Sequence, residues 1–232
     1  MNNELFNNNA LSNLIKETIM RDILLGKLLP GEKLVEAQYA KAFGTSRAPV
    51  REAFYLLTLE GIVKRIPRKG TVVRGFSSEE TKDVIEIRCF LENMALEKLR
   101  NNNNETYLQM MEEIINKTKD INNQSYEYAE LNYQFHQQLI IASDSEVIKS
   151  NYERLGNILL AIQNVAFMKE EDVRKSISEH EQLVEYLYEK NIDEAKKLLD
   201  SHNRSVFDRV ERNVQVYKEH IESKLITKQL GE

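Results

Sequence analysis

The chain has 232 residues, 41% hydrophobic and 30% charged, with a mean hydropathy of -0.51 and a formal net charge of -5. That balance supports packed cores and excludes a lipid-spanning stretch. Gly at 8 and Pro at 3 are too few for an all-β sandwich that turns roughly every ten residues, so helix is the default expectation.

The opening MNNELFNNNA lacks a basic start followed by an apolar run, and the single Cys89 can form no disulfide within the chain. The expectation is a cytoplasmic, reduced protein with no membrane segment. Charge is unevenly spread. Residues 1–75 hold 12 Lys+Arg against 7 Asp+Glu, a net of +5, which leaves 20 against 30, a net of -10, for residues 76–232. A basic head on an acidic body suits a module that binds a polyanion joined to one that does not.

The first ten residues are Asn-rich and are expected to form a loose tail. Leu11 to Leu25 follows with apolar residues at 11, 14, 15, 19, 23 and 24, a helical stripe that stops at Gly26 before the Pro30-Gly31 turn. Val35 to Phe43 predicts a second, short helix. Gly44-Thr45-Ser46 breaks it, and a third helix starts at Arg47, with Ser46 placed to cap its amides and Pro49 tolerated in the first turn. Two short helices around a Gly-containing turn make a helix-turn-helix pattern.

The third helix is expected to bury Val50, Phe54, Leu57 and Leu56. Arg47 and Arg51 then share a polar face one turn apart near its N-terminus. Guanidinium groups are suited to forked hydrogen bonds with guanine or phosphate, although an ordinary solvated face has the same spacing. Ile62 to Val73 reads as two β-prone runs around a basic tip with Pro67 and Gly70, a hairpin whose Arg65, Arg68 and Lys69 can reach phosphates or a minor groove.

The run from Pro30 to Val73, through SRAPVREA and the GIV…KG hairpin, resembles the winged helix-turn-helix of GntR-type bacterial transcription regulators. The resemblance implies that Arg47 and Arg51 contact operator bases or adjacent phosphates. It places Thr45 and Ser46 on the DNA backbone, and Lys69 and Gly70 at the wing tip. One departure is visible: relatives carry a third arginine in a pattern like LxEReLA, and here Ala37 holds that position.

From Ser78 onward there is no proline, and glycine occurs only at 156 and 231, so the body is expected to be all-helical. Polar breaks at Asn101 to Asn104, Asn122 to Ser125, Ser143 to Ser145, Lys169 to Asp172 and Asn191 to Asp193 delimit helices over 78–100, 105–121, 126–142, 145–168, 172–190 and 193–220. Stripes such as Val84, Ile87, Leu91, Met94 support them. The fold class is therefore mainly α: a winged helix-turn-helix over 1–75 and an antiparallel helical bundle over 76–232.

Histidines are few, and three fall on apolar stripes. Asn132 and His136 sit four apart at the edge of one, His180 lies inside Val173, Ile177, Val184, Leu187, and His202 lies among Leu198, Val206 and Val210. Three inward-facing imidazoles fit either hydrogen-bonded core residues or the ligands of a divalent ion. His220, in a polar tail, reads as solvated. Cys89 reads as a small buried hydrophobe.

The pattern Asn132-x3-His136, His180, His202 resembles the ligand set of FCD effector domains within the GntR superfamily, in the shorter, six-helix VanR-like branch. The resemblance implies a divalent metal, with zinc ahead of nickel- or manganese-like ions. Relatives usually have aspartate first, so Asn132 is a second departure: a neutral donor set leaves the metal's charge uncompensated and favours an anionic ligand. The resemblance also implies that Arg88 lines the effector cavity, while the spacing to Glu92 equally fits a surface salt bridge.

The function expected is that of a ligand-responsive regulator, a repressor, that binds an operator in double-stranded DNA as a homodimer and senses a small carboxylate. The alternative is a metal-dependent, hydrolase-like enzyme using the histidines, although no general base accompanies them.

Overall fold

The structure is a computed structural model that describes residues 2–101, 106–121 and 125–230. The chain divides into two compact units, Met1–Phe76 and Ser77–Glu232.

In the first unit, α1 spans Asn2–Leu24 and takes in the Asn-rich segment expected to be a loose tail. Asparagine is an indifferent helix former, but it adjoins a helix already nucleated over Leu11–Leu24, and extension of an existing helix is far easier than nucleation. Ile15, Ile19, Ile23 and Leu24 are buried and supply the face that packs on α3. After a two-residue strand β1 (Lys33–Leu34), α2 (Glu36–Ala42) and α3 (Arg47–Leu59) form the helix-turn-helix. Gly44 joins them at φ +60, a left-handed turn that disfavours any side chain with a Cβ. Val50, Ala53, Phe54 and Leu57 are buried along α3, and Tyr39 of α2 meets Phe54 edge-on at 5.6 Å. Leu56, expected in the core, is only half-buried.

The hairpin is present as β2 (Val63–Ile66) and β3 (Gly70–Val73), antiparallel with Ile66 opposite Gly70. β1 adds to the far edge of β3, giving the order β1-β3-β2. Two residues of strand are too few to leave an alternation in the sequence, so β1 was not foreseen.

The second unit is the six-helix bundle: α4 (Ser78–Leu99), α5 (Thr106–Lys119), α6 (Ser125–Ala142), α7 (Glu146–Ala166), α8 (Glu170–Tyr188) and α9 (Ile192–Leu230). α4 begins with a reciprocal cap, Ser77 Oγ accepting from the Glu80 amide at 3.1 Å and Glu80 accepting from the Ser77 amide at 2.9 Å. α9 runs ten residues beyond the expected end at 220, since nothing in its polar tail breaks a helix. The expected breaks at Asn101 to Asn104 and Asn122 to Ser125 fall largely on residues outside those described, as do the start of the second bundle helix at 105 and the side chain of His220.

Two apolar clusters fill the bundle. One gathers Ile85, Leu91, Tyr128, Tyr152, Leu159, Phe167 and Val206; the other gathers Leu96, Met111, Phe135, Leu139, Leu183 and Leu199. α6 meets α7 closely at Gly156, where a Cβ would stand 2.9 Å from the Tyr133 hydroxyl. Between the clusters lies a layer of buried polar side chains contributed by α4, α6, α7, α8 and α9, and the candidate site is built there.

Candidate functional site

On the first unit, Arg47 opens α3 and is exposed, with Arg51 one turn on, its side chain 64% exposed. Arg51 is not free: its Nε donates to Glu36 Oε2 at 2.8 Å, tying the recognition-type helix to α2. Thr45 is half-buried in the turn, its amide donating to the Ala40 carbonyl at 2.9 Å. Ser46 occupies the N-cap in an extended conformation but makes no side-chain capping bond, which corrects the expected cap and leaves its hydroxyl exposed. Arg65, Arg68 and Lys69 are all exposed at the hairpin tip. Arg68 sits at φ 64 and Gly70 at φ 95, so the tip turns through two left-handed residues. Lys64, also exposed on β2, adds a cation that sequence reasoning passed over. Ala37 is exposed on α2 and presents only a methyl group.

In the bundle, α6, α8 and α9 bring His136, His180 and His202 together. His180 Nε2 lies 3.2 Å from His136 Nε2 and 3.3 Å from His202 Nε2, and the three donor nitrogens all fall within 4.8 Å of one another. All three rings are buried. His180 stacks on Phe135 at 3.9 Å between centroids, which fixes its plane.

Carboxylates set the tautomers of two of these rings. Glu92 Oε2 stands 3.2 Å from His136 Nδ1, and Glu179 Oε2 stands 2.7 Å from His202 Nδ1. An ionised carboxylate only accepts, so both Nδ1 atoms carry the proton and both Nε2 lone pairs face the centre. Burial, then Arg88, pulls His136 down to about 3, and burial with the neighbouring histidines holds His180 well below its ordinary value. Burial also lowers His202 despite Glu179. The rings are neutral donors at neutral pH, held by outer carboxylates as metal-binding imidazoles are, and this donor set fits a divalent ion.

Glu92 is fully buried and accepts from four groups: Arg88 Nε at 2.8 Å, Tyr152 hydroxyl at 2.9 Å, Asn203 Nδ2 at 2.7 Å and His136 Nδ1. Burial opposes its charge, but Arg88 and His136 outweigh burial and hold the carboxyl well below the usual range. Arg88 does pair with Glu92, yet both are buried completely, so the pair is not the surface salt bridge that the spacing also allowed. With the Gln163 amide turned so that its oxygen faces Arg88 and Asn132, Oε1 accepts from Arg88 Nη1 at 2.9 Å and from Asn132 Nδ2 at 3.1 Å. Arg88 Nη2 and Asn132 Oδ1 remain buried without partners. One is a strong donor and the other a ligand-type oxygen, and each is costly to bury unless something meets it.

Sequence reasoning missed Glu92 as the carboxylate partner of His136, and missed Glu179, Tyr152, Asn203, Gln163 and Arg209 altogether. Polar residues on otherwise apolar faces were the available signal, and Asn203 beside His202 was the clearest of them. Cys89 is buried, and burial pushes its thiol up to about 12, so it is no reactive thiolate.

Comparison with known proteins now identifies the class. Residues 83–205 match the FCD domain, and residues 11–73 match the bacterial regulatory proteins of the gntR family. The chain is 29% identical over 183 residues to the uncharacterized HTH-type transcriptional regulator YdhC of Bacillus subtilis (78% of this chain, 82% of that one). It is 29% identical over 202 residues to the gluconate operon transcriptional repressor of the same organism (83% and 80%). It is 22% identical to the transcriptional repressor RspR of Escherichia coli (84% and 87%). Among solved structures, a putative GntR regulator from Rhodococcus sp. RHA1 superposes with a TM-score of 0.70 at 17% identity (86% of this chain, 96% of that one), and Escherichia coli McbR/YncC with 0.65 at 19% (90% and 98%).

The chain belongs to the GntR family of bacterial regulators and carries an FCD domain. It is a DNA-binding transcription regulator with an effector-binding helical domain, in a family that binds operators and usually acts as dimers. Its relatives and domains are those of regulators, which sets aside the hydrolase-like alternative. No helix among the described residues is long and apolar enough to cross a membrane.

Proposed function

We propose that this protein is a cytoplasmic, homodimeric repressor that releases its operator when a small carboxylate binds beside a divalent metal in the helical unit. The metal ligands are His136, His180, His202 and Asn132, and Arg88 holds the carboxylate. The observation that carries this reading is the convergence of three neutral imidazole nitrogens within 4.8 Å, two of them oriented by buried carboxylates. Zinc suits such a set best, with nickel- or manganese-like ions as other occupants. When bound, the ion supplies localised positive charge that the all-neutral donor set does not cancel, and so attracts an anion.

The chain's own residues do the rest. Asn132 offers its unpartnered oxygen, and Arg88, anchored by Nε on Glu92, keeps Nη2 for a carboxylate oxygen. The buried layer excludes water, which strengthens both contacts.

On DNA, Arg47 and Arg51 serve as the reading pair in a major groove, Thr45 and Ser46 touch the backbone, and Arg65, Arg68, Lys69 and Gly70 bring the wing to phosphates or a minor groove. Ile87, Phe90 and Met94 on α4 and Val147 on α7 form an exposed apolar stripe suited to a two-fold contact between copies, which matches a two-fold operator. Repression is favoured because relatives in three bacteria are named repressors.

If the effector prefers the arrangement that cannot hold DNA, operator binding must weaken effector binding by the same factor. A mobility-shift titration on the region upstream of the protein's own gene tests this. The reading expects a shift that carboxylate reverses in the presence of metal and not after chelation. A shift that no carboxylate alters contradicts it.

A further inference from the structure

The excess charge of the first unit has a single location. Residues 1–75 carry 12 Lys+Arg and 7 Asp+Glu, and five of those cations stand on or beside the three strands. They are Lys33 on β1, Lys64 and Arg65 on β2, and Arg68 and Lys69 in the turn before β3. No acid lies in Lys33–Leu34 or in residues 63–73. The seven cations left elsewhere equal the seven acids, so the sheet holds the whole surplus of +5. The helix-turn-helix over residues 36–59, by contrast, has three cations against two acids.

Pairing divides the cations in the same way. Lys16 meets Glu60 at 2.8 Å, Lys27 meets Asp22 at 3.2 Å and Arg51 meets Glu36 at 2.8 Å. All five sheet cations are exposed, and among the described residues none of their side chains has an ion pair or a hydrogen bond.

Strand register sets which way they point. Val72 of β3 lies opposite Lys33 on one side and Lys64 on the other, and directly opposed residues project from the same face of a sheet. Thr71 is flanked by Leu34 and Arg65, so Arg65 projects from the other face, the one on which Leu34, Val63 and Val73 are buried. Lys33 leans along its own face toward the wing tip, for its Cε lies 3.4 Å from where a Cβ on Gly70 would stand. Two interstrand spacings set the Lys33 and Lys64 Cα atoms about 10 Å apart.

We propose that Lys33 and Lys64 form a phosphate-binding row on the outer face of this sheet, which makes β1 a third DNA-contacting strand beside the hairpin. The inference rests on the DNA reading above and extends it to a strand that reading leaves out.

Five like charges gathered on so few residues repel one another, and a neighbouring carboxylate would relieve them. The unit supplies such a partner to Lys16, Lys27 and Arg51 but to none of these five, so their compensation comes from outside, from a polyanion. Duplex DNA fits the row: each strand carries a phosphate for roughly every 3.4 Å of axis, so two ammonium groups about 10 Å apart span neighbouring phosphates. Lysine meets phosphate as a point charge on a flexible stem and has no forked donor for a base edge. The row therefore adds affinity without sequence preference, while Arg47 and Arg51 add the preference. Lysines on edge strands also discourage sheet-to-sheet pairing between molecules, but that role alone leaves DNA binding unmoved.

Fluorescence anisotropy of the full-length protein, from about 50 to 200 mM salt, tests the row on a short duplex of random sequence and on the protein's own upstream DNA. Lys33→Gln and Lys64→Gln are each expected to flatten the slope of log affinity against log salt by about 0.9 per bound protomer, and the double variant by about twice that. Affinity for the two duplexes should fall by the same factor. The paired change Lys33→Arg, Lys64→Arg keeps the charge and should keep the wild-type slope. Lys27→Gln removes an equal charge from a site already paired with Asp22 and should leave the slope unmoved. Unchanged melting midpoints check that these surface variants fold. A double glutamine variant with the wild-type slope overturns the row and leaves the lysines an edge-protecting role only. A loss confined to the upstream duplex, or equal flattening in Lys27→Gln, also overturns it, since the first reports base reading and the second net charge. Absence of salt-dependent binding by the wild type to either duplex overturns the DNA reading itself.

Discussion

Glu92 and His136 are locked together at the centre of the bundle: Oε2 lies 3.2 Å from Nδ1, both side chains are fully buried, and the same carboxylate neutralises Arg88 four residues earlier on α4. One acidic group therefore keeps an imidazole's Nε2 lone pair turned toward the histidine cluster and keeps a buried guanidinium from standing unpaired.

Removing that group has two separable effects. Glu92→Ala leaves Arg88 charged and unpaired in the interior and is expected to destabilise the fold by about 3–5 kcal/mol. Glu92→Gln keeps the shape and part of the bonding. It should fold but bind zinc about 10–100-fold more weakly, because the ring loses the acceptor that orients it. Urea denaturation with and without metal measures the first effect, and competition against a chelating dye measures the second.

Asn132→Asp restores a negative charge to the ligand set. The variant is expected to hold zinc more tightly and to respond less to an added carboxylate, since less of the metal's charge is left for an anion to satisfy. Zinc competition and thermal shifts with carboxylates check the two directions. Tighter carboxylate binding in the variant would argue that Asn132 does not face the metal.

The buried histidines make the metal-free protein sensitive to acid. Their folded pKa values lie below the ordinary value of 6.5, about 3 for His136, so below pH 6.5 the unfolded chain binds more protons than the folded one. Stability is then fully present above pH 6.5 and is lost as pH falls from 6.5 toward 3, by up to about 1.4 kcal/mol per pH unit for each histidine. Chemical denaturation at a series of pH values should show this slope, reduced in His180→Ala. Bound zinc should delay the loss until protons displace it.

On the DNA side, Arg47→Ala and Arg51→Ala are each expected to weaken operator binding by about 1–3 kcal/mol and to relax the base preference at one position. Lys69→Ala on the wing should instead weaken binding to all sequences alike and lower the salt slope by about one. Arg51 also carries the Glu36 contact. Glu36→Gln is therefore expected to raise non-specific affinity while eroding the preference for operator over random DNA, measured by anisotropy at several salt concentrations.

The sequence made the scaffold legible because its signals are local. Gly44 announced the turn, Arg47 the start of α3, the basic tip the hairpin, and runs without Gly or Pro the long helices. What could not be read were consequences of distance. β1 exists only because it lies along β3. Ser46 stands where a cap should be, but its hydroxyl does not reach an amide. The four-residue spacing of Arg88 and Glu92 signalled a pair, while its complete burial depends on α6, α7 and α9 closing over it. Spacing likewise put three histidines on inward faces; that Glu179 joins His202 to Arg209 is a product of how α8 packs on α9. Buried polar residues such as Asn203 and Arg209 were discounted because, one at a time, they look like interruptions of an apolar stripe.

The most direct test of the account is a single titration: fluorescence anisotropy of the protein's own upstream DNA with zinc-loaded wild type and His180→Ala, as a small carboxylate is added. The account predicts that the acid releases DNA from the wild type, that the variant binds DNA equally well but is not released, and that the chelator-treated wild type behaves as the variant does. Release of the His180→Ala variant at the same acid concentration would contradict it, since the histidine chamber would then have no part in sensing.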